Sequence, residues 1–465
     1  MSTPLTRYFR LSEHGTTVRT EILGGITTFV AMAYIVVVNP AILSFAGLPI
    51  GPSTVATILV AAVGSLLMGL YANRPIAVAP YMGENAFIAF GLTAITIAGT
   101  PITWQQRLGA VFIAGLVFVA ITLLHIRAWL ANAVSLSMKH SFTTGIGLFL
   151  AFIGLYETGI VTSFAEGAPV AALRAGDTEF LRKPPVPVKI GNFHDTKVLL
   201  AVGGFLLTAT LLARGVKGAL LIGIVLTAIV GYSLGVGAVP QGVVALPFTG
   251  DYSLAPIAFQ LDIVGVLKLS FLPVLLTLFL MSFLDTLGTL VAVGAAGGML
   301  DEKGNFSEPE KPMLVDAATC VFASVVGSST SGAYIESATG VREGARTGLA
   351  AVVTGLLFAA TLFFIPLVQP LQTLAYAYGP ALIAVGVMMM ASVRKIDFDD
   401  LTEAVPAFVT LVMIVFTYNI ANGLTAGLIA YSLLKVLAGR ARELTPGSVV
   451  LALMCLVYYV FGLPH

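Results

Sequence analysis

Charge is what this chain lacks most. Asp, Glu, Lys and Arg make up 10% of its 465 residues and hydrophobic residues 57%, whereas soluble domains carry about 25% charged residues. A soluble fold is excluded, and the composition predicts an all-α polytopic membrane protein. The net charge of +1 offers no basic face for a nucleic acid. Cysteine is nearly absent. Cys320 and Cys455 lie in apolar runs and read as buried thiols rather than a disulfide or a metal pair. The 5 histidines have no ligand spacing, so neither a metal nor another cofactor is expected. No phosphate-binding loop of the Walker type occurs, which argues against ATP-driven work. No nucleophile–base pair with credible spacing supports an enzyme. The residues before Arg19 lack the apolar stretch of a signal peptide.

What the chain has is apolar length. A span needs roughly 20 apolar residues, and fourteen such segments can be marked. They predict a cytoplasmic N-terminus at 1–20, a first repeat at 21–236 with an outer loop at 157–197, a second repeat at 262–440, and a tail at 441–465 carrying an interfacial apolar helix (Val449–Phe461). The first span is expected at Glu21–Leu43. Thr347–Val393 is uncharged and too long for one span, and Pro366, Pro370 and Pro380 are expected to divide it. Arg74, His125 with Arg127, Arg214 with Lys217, Lys303 with Lys311, Arg342 with Arg346, Arg394 with Lys395, and Arg440 with Arg442 fall on alternate connections. The positive-inside rule then places both termini in the cytoplasm of a cell (inner or plasma) membrane.

Within this apolar chain, Ser328–Thr347 stands apart. Its first 12 positions hold 7 hydroxyl-bearing residues and one carboxylate, Glu336. Such a stretch cannot face lipid, because its backbone groups would lack partners. It predicts a broken span, with Ser328–Tyr334 extended and Glu336 at the start of a short helix. An earlier stretch echoes it: Tyr81-Met82-Gly83-Glu84-Asn85-Ala86 matches Ala333-Tyr334-Ile335-Glu336-Ser337-Ala338 and follows a short extended piece at Ile76–Pro80. Each is the third span of a seven-span set. Seven is odd, so the halves are expected to be inverted, with two broken helices meeting near the midplane.

Polar clusters at membrane depth are functional candidates by default. They are Glu84 with Asn85; Thr143 with Thr144; Ser282, Asp285, Thr286 and Thr289; and Tyr334, Glu336 and Ser337. Asp285 and Thr289 share one helix face. Lys139 and Lys268 are candidate ion partners for Glu84 and Asp285. Three carboxylates disfavour an inorganic anion. Carboxylates accept from N–H groups, Asn85 both donates and accepts, and Tyr334, Phe87 and Phe142 can supply flat walls. The complement is a small, planar, neutral molecule with adjacent N–H and C=O groups, a description nucleobases fit. Glu84, Asp285 and Glu336 also suit proton coupling. The expected substrate-binding set is Glu84, Asn85, Asp285, Thr289, Tyr334, Glu336 and Ser337.

These motifs carry a family resemblance over nearly the whole chain. Gly24–Ile35, Asn39-Pro40, Met82–Phe87, Asp285–Leu290, Tyr334–Val341 and Ile396–Asp400 resemble the azaguanine-type guanine/hypoxanthine permease branch of the nucleobase–ascorbate transporter family. The resemblance implies fourteen spans in two inverted seven-span repeats, a core and a gate domain, and frequent dimers. It also implies a purine held by Asp285, Glu336 and Asn85, and proton symport with alternating access. Two departures stand out. The branch usually has leucine at Glu84, and an aspartate at Ser282. The choice among guanine, hypoxanthine, xanthine, adenine and uracil therefore stays open. The rival from another class is an anion exchanger on the same fold.

Overall fold

Apolar runs of this length can satisfy their backbone in lipid only as helices, and that is what most of the chain forms. The structure, a computed structural model, describes residues 4–92, 96–97, 100–124, 133–163, 188–300 and 306–461. The expected charges at His125, Arg127 and Lys303, and most of the 157–197 loop, lie outside the described residues. Among those described, 9 helices are long and apolar enough to cross a membrane, and three shorter apolar helices accompany them. The chain is a multi-pass membrane protein.

In chain order the helices that matter here are α1 (Val18–Met32), α2 (Ile35–Phe45) and α3 (Ile50–Leu70). Strand β1 (Val78–Pro80) then leads into α4 (Met82–Ala86), which continues as a π-helix over Phe87–Gly91. Next come α5 (Trp104–Leu123), α6 (Leu136–Glu157), α7 (Thr196–Ala213) and α8 (Ala219–Ser233). The second half has α9 (Leu272–Gly297), α10 (Glu310–Val326), strand β2 (Ser331–Ala333) and α11 (Ser337–Arg342). It ends with α12 (Gly348–Thr361), α13 (Ala375–Met390), α14 (Leu401–Phe416), α15 (Ile420–Leu437) and α16 (Pro446–Phe461).

The helix starts follow local chemistry. Thr103 and Gln106 form a reciprocal capping box at α5. Ser135, Asp195, Thr347, Asp400 and Asn419 each accept a backbone N–H at the start of their helices. Between spans, small residues replace the hydrophobic drive that lipid removes. Gly24 and Gly25 of α1 lie against Ala345, Ala350 and Val353, and Gly147 of α6 faces the Gly386 carbonyl of α13. A β-carbon at any of them would collide.

The first span falls where expected, over Val18–Phe45, with a turn at Ala33–Tyr34 between α1 and α2. Two expectations need correction. Pro380 does not divide the long uncharged run, because it sits inside α13. The division falls at Leu374, after a 3-10 turn over Gln369–Thr373. The last two spans, expected at Leu401–Asn422 and Leu424–Leu437, instead divide at Thr417–Asn419, before α15. The tail forms α16 and packs on α15 and α9.

Candidate functional site

Two broken spans meet at a strand seam. β1 and β2 pair antiparallel, with Val78 opposite Ala333, Ala79 opposite Gly332, and Pro80 opposite Ser331. Gly327, at φ +89°, ends α10 and starts the second extended piece. The strand itself covers only Ser331–Ala333 of the expected Ser328–Tyr334. Extended backbone at membrane depth must find partners, and here neighbouring spans supply them. Ser65 Oγ of α3 accepts from Val78 N–H, and Ser337 Oγ accepts from Ala77 N–H, at 3.0 and 2.9 Å. Asp316 of α10 accepts from Ala333 N–H at 2.9 Å. Cys320 Sγ donates to Ser331 O at 2.8 Å.

The seam also reveals how the two halves correspond. Tyr81 N–H donates to Thr330 O, and Tyr334 N–H donates to Ala77 O, each at 2.9 Å. These bonds make Tyr81 the counterpart of Tyr334. The sequence match, which set Glu84 against Glu336, is therefore one residue out of register. Gly83 is the counterpart of Glu336, and Glu84 that of Ser337. One residue on a helix is a rotation of about 100°, so the two carboxylates leave their helices in different directions. Their surroundings differ accordingly. Glu84 is fully buried, whereas Glu336 is half-buried beside the exposed Ile335.

All seven expected site residues lie on the elements that meet here. Glu84 and Asn85 are on α4, Asp285 and Thr289 on α9, and Tyr334, Glu336 and Ser337 at the start of α11. Glu84 and Asp285 are close enough for their charges to interact. Tyr334 lies in the field of Glu336, Glu84 and Asp285 together. Neither candidate lysine pairing forms: both Glu84 oxygens lack a hydrogen-bond partner. Among the described ion pairs, neither Lys139 nor Lys268 meets an acid of the site. Ser282 Oγ lies near Glu84 but is itself unpartnered. A buried carboxyl without a partner is costly; a proton or a donor from a bound molecule relieves that cost. Asn85 donates to Asn39 O at 3.4 Å, leaving its own carbonyl oxygen unpartnered. Ser337 is committed to the seam through Ala77.

Further residues join the site that sequence reasoning passed over. Tyr34, at the turn in the first span, donates to Glu336 Oε1 at 2.8 Å. Tyr81 Oη and Thr286 Oγ1 lie 2.9 Å apart, and both approach Asp316. Asp316 is fully buried, and its second oxygen has no partner. Its signal was a lone acid inside an apolar run, the criterion already applied to Glu336. Tyr34 had no such signal. Arg107 of α5 donates to Ile88 O, Ala89 O and Ile102 O at 2.7, 3.2 and 3.3 Å, which pins the far end of the broken third span. A cavity of about 460 Å³ opens elsewhere, around Glu157, Asn192 and Asp195, and includes none of these acids.

Comparison with known proteins bears on this arrangement. The model of the permease family matches residues 19–425. The adenine permease AdeP of Escherichia coli is 38% identical over 457 residues, covering 98% of this chain and 96% of its own. The guanine/hypoxanthine permease PbuG of Bacillus subtilis is 38% identical over 466 residues, covering 98% and 99%. Among solved structures, the transmembrane domain of the cyanobacterial bicarbonate transporter BicA superposes with a TM-score of 0.59 at 16% identity, covering 88% of this chain and 97% of its own. That last likeness concerns the fold alone.

Proposed function

The chain belongs to the permease family, and from that premise we propose that it is a secondary carrier importing purine nucleobases with protons. The observation that carries the proposal is the β1–β2 seam, where two broken spans bring Glu84, Asn85 and Glu336 to adjoining helix starts and α9 brings Asp285 near Glu84. Asp285 and Glu336 take the N–H edge of the base, and Asn85 supplies a donor and an acceptor. Tyr334 offers a flat face, and Thr289 lies one turn along α9 from Asp285. Glu84, Asp285 and Glu336 are the proton-coupling groups. Relatives named for adenine and for guanine/hypoxanthine share the purine ring, which supports a purine over uracil. A lining of acids rather than cations opposes the anion-exchanger reading that the BicA-like fold by itself would allow.

The antiparallel seam and the paired Tyr81 and Tyr334 bonds support two inverted repeats. The rest of the reading is fourteen spans, a core domain moving against a gate domain, both termini in the cytoplasm of the cell membrane, and a homodimer. The test is uptake of labelled bases in cells stripped of their own base permeases. Saturable purine uptake that a protonophore collapses is expected. Uptake that ignores the protonophore and external pH but requires sodium would remove the proton from the account.

A further inference from the structure

The stretch Gly24–Ile35 marks the family in sequence, yet most of it packs as an ordinary span. Tyr34 is the exception. It sits where α1 gives way to α2, is 1% exposed, and points its hydroxyl at a residue 302 positions away. Glu336 occupies the cap position of α11, but its side chain does not cap that helix. It accepts from Tyr34 instead, at 2.8 Å. A donor fixed on Oε1 settles which way the carboxyl faces. It also places any proton that Glu336 carries on Oε2, the oxygen Tyr34 leaves free.

We infer that Tyr34 is a positioning residue, which orients Glu336 from the turn in the first span so that Oε2 meets the ligand. It acts through Glu336. The inference rests on the purine-carrier reading for its transport consequence but not for its structural one. A hydrogen bond to a charged group is among the stronger ones a protein makes, and tenfold in affinity is about 1.4 kcal/mol. Losing this one should therefore weaken binding about tenfold while leaving the later steps of the cycle intact.

The first experiment is Tyr34→Phe, which removes one oxygen and keeps the ring. With surface abundance matched to wild type, KM for the transported purine should rise about tenfold, with the maximal rate within about twofold. In purified protein carrying Glu336→Gln, adding Tyr34→Phe should change purine binding no further, because Tyr34 acts through the carboxylate. A fall in maximal rate with KM unchanged, or a further loss of binding in the double variant, overturns the inference.

The second experiment needs no substrate. Infrared difference spectra between acid and alkaline pH should contain a carboxyl band that Glu336→Gln removes. Tyr34→Phe should shift that band to higher frequency, as a carbonyl freed of a donor does, and Tyr34→His, which keeps a donor, should shift it less. A band unmoved by Tyr34→Phe overturns the inference whatever the protein carries. A shifted band with no base uptake by the wild type tells against the purine reading and leaves the Tyr34 contact standing.

Discussion

At the scale of single residues, the site is an arrangement of acids with few partners. Glu84 is the sharpest case, because it is fully buried with both oxygens unpartnered. The resemblance to the guanine/hypoxanthine permease branch implies an aspartate at the position of Ser282. Here Ser282 Oγ is also unpartnered and lies near Glu84. The two positions face each other, so an acid moved from one to the other still reaches the same space. Glu84→Leu is expected to reduce uptake at least tenfold, and Ser282→Asp added to it to restore much of the loss. No rescue, with a mild Glu84→Leu, would show that this acid plays no part. Part of this candidate site was legible in the sequence. A carboxylate in an apolar chain announces itself, and Glu84, Asp285 and Glu336 were found that way. Asp316 sends the same signal but stands alone in its run, without the hydroxyl-rich company that marked Glu336. Tyr34 could not be found so, because a tyrosine in a span reads as bulk. Its meaning comes from a contact across 302 residues, and local pattern does not encode such contacts.

At the scale of elements, the informative features are the interruptions. Polar stretches and prolines were the guides: the hydroxyl-rich stretch and its echo predicted the extended pieces at β1 and β2, and strands formed within them. They misled at Pro380, since a helix flanked by others tolerates a proline whose freed carbonyl finds another partner. They were silent at Ala33–Tyr34, where the first span turns with no proline present. The echo between the two broken spans was legible, but its register was not. The eye matches carboxylates, whereas the fold matches backbone hydrogen bonds, and the two differ by one residue. The broken third span depends on Arg107 at its far end, where α4 has passed into a π-helix. Arg107→Met should cost about 1–3 kcal/mol for each carbonyl left short of a donor. A lower thermal midpoint in detergent, with weakened uptake, is the expected result. An unchanged midpoint would mean that the span end holds without it.

At the scale of the whole molecule, one polar joint ties several parts together. Lys435 of α15 is buried and reaches Glu443 at 2.8 Å and Glu403 at 3.0 Å. Arg440 bonds Asp400 at 2.7 Å and holds both oxygens of Glu443, while Ser135 of the α6 cap donates to Glu403. Asp400, the last residue of the Ile396–Asp400 motif, thus ties the start of α14 to Arg440, and the surrounding pairs join α14, α15, α6 and the tail. The Thr402 hydroxyl and N–H, then Arg440, hold the Asp400 carboxyl well below the usual carboxylate range. A depressed folded pKa contributes stability above the unfolded value, about 3.9 for Asp, and that stability is lost as pH falls through the folded pKa. Asp400→Asn should therefore lower the thermal midpoint at pH 7, and the gap to wild type should narrow below about pH 4. A gap independent of pH would assign the effect to packing. The central claim is that the half-buried carboxyl of Glu336 at the seam holds the transported base. The most direct measurement is purine uptake by Glu336→Gln against wild type in permease-deficient cells, at equal membrane abundance. The account predicts that uptake is abolished or nearly so while the variant remains in the membrane; uptake close to that of wild type would contradict it.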